Sequence, residues 1–381
     1  MPRRRIAVML GAGSGWSNGI LRGIVHYALA HGPWEFYAQF PGLSILAVRD
    51  WNVDGVIMPL RTEEYVRLFR ERHIPLVNCS GMLAGAVVPT VRVDDPAAGR
   101  LGAEHLVERG FRHFAFCGFA DLNFSDVRCE GFAEVVRRAG FDVNAYAPDP
   151  ALKKEWTWDR QEMDIARWLA TLPRPVGLMA CSDERAWHVT EACRRIGLRV
   201  PEDVAVVGVD NDELRCEFST PPISSVAVPT ERIGYESAAL LDRLIRGEPA
   251  PDGPVLIRPQ GVVVRRSTDV VAVDDPDVVK AFHYIRDHAG EPFDVNDLVK
   301  EVATPLEVLE ERFRAHLGHT IEAEIQRARV RRAERILSDT DLGIPEAAQA
   351  SGFRNPSHFS SAFRRVTGLT PNAYRQKYRM R

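Results

Sequence analysis

The chain lacks any long apolar run. No stretch of its 381 residues reaches the ~18 consecutive apolar residues that a helix needs to span a bilayer, so no membrane partner is expected. No secretory leader is expected either. Met1–Arg5 is basic, but the apolar run Ile6–Leu10 stops at Gly11, too short for the core of a signal peptide. Cysteine is sparse and unpaired in pattern: Cys79, Cys117, Cys129, Cys181, Cys193 and Cys216 are scattered, with no CxxC. This excludes a disulfide framework or a zinc site and fits reduced, mostly buried thiols in a cytoplasm. There is no GxSxG, no HExxH and no P-loop lysine, so no familiar catalytic arrangement is present and no cofactor is expected.

What is present is an uneven charge distribution. The overall net charge is −3, yet Ile321–Arg381 holds 12 Lys/Arg against 6 Asp/Glu, and Asp274–Thr320 holds 5 against 11. Attraction to phosphates is therefore concentrated at the carboxyl end. Length and composition permit two or three globular domains.

The first ~265 residues alternate strand and helix, the pattern of a parallel sheet wound on both sides. Strand-like runs are Ile6–Leu10, Phe36–Phe40, Gly55–Met58, Leu76–Asn78, Phe114–Cys117, Val176–Cys181 and Val204–Val209. Helical patterns lie around Ile20–Ala30, Glu63–Arg72, Ala97–Arg109, Val127–Ala139, Met163–Ala170, Glu184–Ile196 and Ile233–Arg246. Such sheets bind ligands beyond the carboxyl ends of their strands. The first such loop, Gly11–Gly15, departs from the dinucleotide pattern because its third glycine comes one residue early. A nucleotide site, a plain strand–helix connection, and a sugar-facing loop in which Trp16 offers a flat apolar face all remain open there.

The carboxyl end reads as helix-turn-helix. Ile344 and Ala348 share a helical face, Gly352 suits a turn, and Asn355 caps a helix with Pro356 at its first position. Phe359, Phe363 and Val366 then define an apolar face expected to be buried. The opposite face carries Ser357, His358, Ser360, Ser361, Arg364 and Arg365, suited to base edges and phosphates. With Gly368 and the ending Thr370-Pro371-x-x-Tyr374-Arg375, this run resembles the second helix-turn-helix of AraC-type transcription regulators. That family usually has a basic residue where this chain has Ser361.

Upstream, Val295–Val299 starts a first helix-turn-helix, 295–317. Thr304 is expected to cap its second helix in a capping-box spacing with Glu307, and Leu306, Leu309 and Phe313 to form the buried face. Glu307, Glu310, Glu311 and Arg314 are then exposed; the AraC pattern usually has a basic residue at Glu311 and glycine at Ala303. Glutamates accept from cytosine N4 but repel phosphates, so this module reads bases weakly or positions the second. A helix over 321–337 joins it to the second module, 344–367. Its Arg327, Arg329, Arg331, Arg332 and Arg335 form a basic side.

Further motifs bear on the first part. They are Arg92–Leu106, Phe114–Gly118, Arg128-Cys-Glu-Gly131-Phe132, Ala180-Cys-Ser182-Asp183, Val204–Asn211 and Pro222–Val226. Their order and spacing resemble the ligand-binding core of LacI-type repressors and periplasmic sugar-binding proteins. The resemblance implies two α/β lobes, roughly 5–92 plus a segment after Val226 and roughly 93–225, with a sugar between them. A sugar needs paired donors and acceptors and an aromatic face. Arg128 offers a donor fork and Asp210 two acceptors past a strand; the resemblance implies that both touch ligand. Asn78 and Ser182 fall at matching strand ends, and Trp158 where an aromatic packs on sugar. Asp94 and Asp183 are expected as helix caps.

The combined expectation is a two-lobed α/β sensor over 1–268, a linker over 269–276, and an all-α AraC-type reader over 277–381. No helix-turn-helix is expected before Ile6, where LacI-type repressors carry theirs. The full arrangement resembles bacterial xylose operon regulators. That implies a cytoplasmic homodimer activating transcription from promoter DNA with RNA polymerase, and D-xylose as effector. The rivals are an α/β enzyme acting on a sugar or nucleotide, and a sugar-binding protein without regulatory function.

Overall fold

A computed structural model describes residues 3–11, 13–38, 51–85, 87–146, 158–273 and 275–378. The chain divides into two compact units, Met1–Val107 with Arg112–Asp269, and Glu108–Phe111 with Val270–Arg381. The division thus falls at the start of the expected 269–276 linker, and the short Glu108–Phe111 segment groups with the second unit.

The first unit has two lobes. One is built on a parallel sheet of order β2-β1-β3-β4, formed by β1 (Arg4–Val8), β2 (Trp34–Ala38), β3 (Gly55–Met58) and β4 (Leu76–Asn78). Its helices include α1 (Gly15–His31) and α2 (Glu64–Glu71). The chain then passes through β5 (Val91–Val93) into the second lobe. There α3 (Asp95–Val107), β6 (His113–Cys117), α4 (Asn123–Arg138), β7 (Val143–Ala145), α5 (Trp158–Ala170), β8 (Val176–Ala180), α6 (Asp183–Arg195), β9 (Val204–Asp210), α7 (Glu213–Phe218) and β10 (Ser224–Ala227) follow. It then returns as α8 (Thr230–Ile245), which packs on α1, and β11 (Val255–Ile257), which pairs with β5. It ends in β12 (Val262–Val263), antiparallel to β10. The second sheet runs β12-β10-β9-β8-β6-β7. β3 and β8 are buried at every residue, as expected of parallel strands covered on both faces, and this is why they read as unbroken apolar runs.

Close helix pairing rests on small residues. A Cβ at Gly99 would lie 2.1 Å from the Arg128 carbonyl oxygen, and one at Gly131 2.3 Å from that of Pro96, so α3 and α4 touch backbone to backbone. Gly23 and Gly234 do the same for α1 and α8.

The second unit is helical: α9 (Pro276–Asp287), α10 (Val295–Val302), α11 (Leu306–Leu317), α12 (Ile321–Asp339), α13 (Ile344–Ala350), α14 (Pro356–Thr367) and α15 (Pro371–Tyr378). Two apolar cores share α12. Ile321 and Ile325 join Phe282, Leu298, Leu309 and Phe313 in one; Val330, Ala333 and Leu337 join Ala348, Phe359, Phe363 and Tyr374 in the other. The nineteen residues of α12 make a rod of about 28 Å at 1.5 Å per residue.

Several local expectations are corrected. Thr304 does not cap α11; its hydroxyl donates to Asp277 Oδ2 at 2.8 Å, and the capping box lies instead at Asp294 and Asp297 of α10. Ser182, not Asp183, is the cap of α6. Val366 is 44% exposed rather than buried, because Ala362 takes the inward position beside Phe363. The arginines of α12 are not a free basic side. Arg329 donates to the Phe293 carbonyl and stacks on its ring, Arg332 donates to the Ala350 carbonyl, Arg327 pairs with Glu108, and Arg331 pairs with Glu108 and Glu324. They hold the unit together.

Candidate functional site

A cavity of about 550 Å³ lies between the lobes of the first unit. Arg128 is at its centre. It is 4% exposed, and α4 carries it there because Gly99 and Gly131 let α3 and α4 approach. Its Nε donates to Asp95 Oδ1 at 2.9 Å, its Nη1 to the Cys181 carbonyl at 2.5 Å, and its Nη2 lies 3.6 Å from Asp210 Oδ1. Phe124, one turn earlier on α4, lies under the guanidinium at 4.9 Å. Asp95 also receives Arg92 at 3.2 Å.

The carboxylates are unequal. Burial pushes Asp210 and Asp183 above the ordinary carboxylate range. For Asp210, Arg128 opposes the rise while Asp95 and Asp212 add to it; for Asp183, Asp210 adds to it. Asp183 accepts from Ser225 Oγ at 2.5 Å and from the Asp212 amide at 2.8 Å, which fully engages it. Asp210 ends β9 with φ 110°, and Asn211 follows with φ 53°. Two successive non-glycine residues in the left-handed half of conformational space are a strained strand end, of the kind found where a side chain is aimed at a ligand. The Asn211 amide, donating to Ser225 Oγ at 3.0 Å, holds that turn.

Arg128, Asp210, Ser182 and Trp16 all line the cavity. Ser182 has a second task, since its Oγ accepts the Arg185 amide at the start of α6. Asn78 does not reach the cavity. Its carbonyl oxygen accepts from the Leu60 and Ser80 amides and its amide donates to the Ser80 carbonyl, so the turn after β4 consumes it; Ser80 lines the cavity instead. Trp158 begins α5, and its side chain lies outside the described residues, as does the preceding Glu155–Thr157. The Gly11–Gly15 loop leads into α1, whose first amide, Gly15 N–H, donates across the cleft to Asp212 Oδ2 at 2.8 Å. A helix start taken by a carboxylate from the other lobe does not fit the nucleotide reading of that loop.

Sequence reasoning missed Asp95, Phe119, Phe124 and Asp212 among the cavity residues. Asp95 was legible as the second of two acids at a helix start, and Phe124 by its i−4 spacing from Arg128. Phe119 carried no pattern; beneath it lies the buried Arg185 guanidinium, 3.9 Å from its ring.

In the second unit, Pro356, Ser357, His358, Ser360, Ser361, Arg364 and Arg365 of α14 are all exposed. Asn355 caps this helix by accepting the Ser357 amide at 2.8 Å, and Gly352 makes the preceding turn with φ 81°. On α11, Glu307, Glu311 and Arg314 are exposed, but Glu310 is tied to the Ile321 amide at 3.2 Å and serves the start of α12. Ala303 occupies the left-handed turn between α10 and α11 with φ 62°, where glycine would carry no steric cost.

Comparison with known proteins agrees with both units. Residues 103–268 match the periplasmic binding protein-like domain family, and residues 298–377 the helix-turn-helix domain family. The xylose operon regulatory protein of Escherichia coli (strain K12) is 30% identical, over 98% of this chain and 97% of its own length. That of Haemophilus influenzae is 29% identical, over 97% and 98%. A solved structure of a xylose-binding transcription activator aligns over 100% of both chains with 29% identity and a TM-score of 0.63. These relatives are regulators, which sets aside the enzyme reading, and no helix among the described residues is long and apolar enough to cross a membrane. Arg128 between its carboxylates, two helix-turn-helix modules on one rod, and likeness along nearly the whole length place this chain in the family of xylose operon regulatory proteins, sugar-sensing transcription regulators that bind DNA.

Proposed function

We propose that the chain is a cytoplasmic activator, working as a homodimer on repeated half-sites, whose effector is a pentose, D-xylose, held between the lobes without any further cofactor. The observation that carries this reading is the Arg128 fork set against Asp210, with Trp16 and Phe124 also lining the cleft. A guanidinium edge and a carboxylate with acceptor capacity to spare suit vicinal hydroxyls, and flat rings suit the C–H faces of a sugar. Closure on the effector biases the DNA-reading helices, which requires a difference in affinity between two states of about 1–3 kcal/mol. Contact with RNA polymerase then turns binding into activation.

Calorimetry with a panel of pentoses and hexoses tests the effector. D-xylose is expected to bind without turnover, and Arg128→Met to lower its affinity at least about 30-fold, the worth of a charge-assisted hydrogen bond pair. Binding of another sugar in its place, or an unchanged affinity in the variant, would remove the assignment.

A further inference from the structure

The two candidate DNA-reading helices present different chemistry. α14 offers serines, His358, Arg364 and Arg365. On α11 the outward residues of the first turns are Glu307, Val308 and Glu311, with Val308 38% exposed; Leu306 lies on the side of the buried Leu309 and Phe313, and its place at the helix start leaves it 40% exposed. The neighbouring cations are engaged: Arg312 lies 3.5 Å from Asp275 and 3.2 Å from Asp277, and Arg314 is 3.5 Å from Glu310. Such a face gains nothing from phosphates. In a major groove it suits the C5 methyl of thymine, for the branched apolar side chain, and the N4 amino group of cytosine, for the carboxylates; the N6 amino group of adenine also donates, but beside an N7 acceptor that a carboxylate repels. It repels the N7 and O6 acceptors of guanine, which an arginine would seek. The position suits base contact too, since the amino-terminal residues of a recognition helix are those that meet base edges.

Resting on the reading of the second unit as DNA-binding, we infer that α11 is a specificity element for a pyrimidine tract. Val308 selects thymine, Glu307 and Glu311 select cytosine, and phosphate affinity is left to α14. The two modules divide discrimination and grip between them.

The test uses the full chain with its effector. A binding duplex is recovered by selection from a random-sequence pool, and each thymine is then replaced singly by uracil, which removes only the methyl group. At one or two positions the affinity falls about four-fold, the worth of a buried methyl. Val308→Ala abolishes that penalty in a double-mutant cycle. Glu311→Lys steepens the salt dependence by about one phosphate contact and relaxes the cytosine preference, whereas Arg364→Ala makes it shallower by about one. If no uracil penalty depends on Val308 while salt-sensitive binding and the Arg364 effect persist, the inference is overturned and the DNA reading stands. If the α11 variants bind DNA normally but lose activation, the face belongs to a protein partner, and the inference is again overturned. Loss of all salt-sensitive binding by the unsubstituted chain would remove the DNA reading itself.

Discussion

Arg128 is flanked by two carboxylates, and only one is fully committed. Asp95 takes Nε at 2.9 Å and Arg92 at 3.2 Å; Asp210 stands 3.6 Å from Nη2, beyond a good hydrogen bond. Asp210 therefore keeps acceptor capacity for a ligand. Its carboxyl lies above the ordinary range through burial, opposed by Arg128 and reinforced by Asp95 and Asp212. For an acid raised in this way, the folded state holds a proton that the unfolded chain has released. Its effect on stability is constant below the ordinary carboxylate range, falls as pH rises through the window up to the raised value, and is flat above. A hydroxyl donating to ionised Asp210 reverses that trend for binding. Effector affinity is expected to strengthen as pH climbs through the same window, with proton release on binding at its acid end. Asp210→Asn should flatten the profile and weaken binding about ten-fold or more. Calorimetry from about pH 5 to pH 8 in buffers of different ionisation enthalpy reads both quantities. A flat profile for the unsubstituted chain would exclude Asp210 as the acceptor. Asn78 shows the limit of strand-end reasoning at this scale. The pattern brings a residue to the cleft edge, but the polar groups of the following turn, here at Leu60 and Ser80, decide whether it remains free.

At the scale of elements, the site depends on how closely α3 and α4 cross. In an isolated helix Gly→Ala gains about 1 kcal/mol. At Gly99 the added Cβ meets the Arg128 carbonyl oxygen at 2.1 Å and the Phe132 amide nitrogen at 2.8 Å, which are backbone atoms that cannot turn away. Overpacking then costs about 1–3 kcal/mol net and pushes away the helix that carries Arg128. Gly99→Ala is accordingly expected to lower both the urea midpoint and effector affinity, whereas an Ala at the open Gly140, beyond α4, is strained by its own backbone, with φ 86°, without touching the cleft. Stability gained at Gly99 would show that the helices part freely. Long elements such as β8, β9 and α14 were legible because burial on both faces, or on one stripe, leaves a run or a period. β5 and β10 were not, their short runs interrupted by Arg92, Ser224 and Ser225, nor were β11 and β12, which partner strands distant in sequence hold in place. The same reason hid the role of the α12 arginines. Sequence shows a row of cations, and only packing shows that Phe293, Ala350 and Glu324 receive them.

For the molecule as a whole, the sensor must have two states, and contacts that span its cleft contribute to the closed one. The Gly15 amide donates to Asp212 at one side. Across the cleft, the Asn123 amide donates to the Met82 carbonyl at 3.2 Å and the Asn123 side chain to the Gly81 carbonyl at 3.1 Å. All three join protein groups across the cleft. They lower the free-energy gap between open and closed lobes, so that part of closure is already favoured before a sugar binds, and apparent affinity rises with the population of the competent state. Asp212 is the sharper handle because its carboxylate also meets the positive end of α1. Asp212→Ala should open the effector-free sensor and weaken effector binding about five- to ten-fold, matching a lost bond of ~1–1.4 kcal/mol. Asp212→Asn, which keeps an acceptor and loses the charge, should fall between. Small-angle scattering separates this from simple loss of a ligand contact. The effector-free radius of gyration should rise in Asp212→Ala and return to the parental value at saturating effector; an unchanged effector-free radius would mean that the bond reports closure without contributing to it.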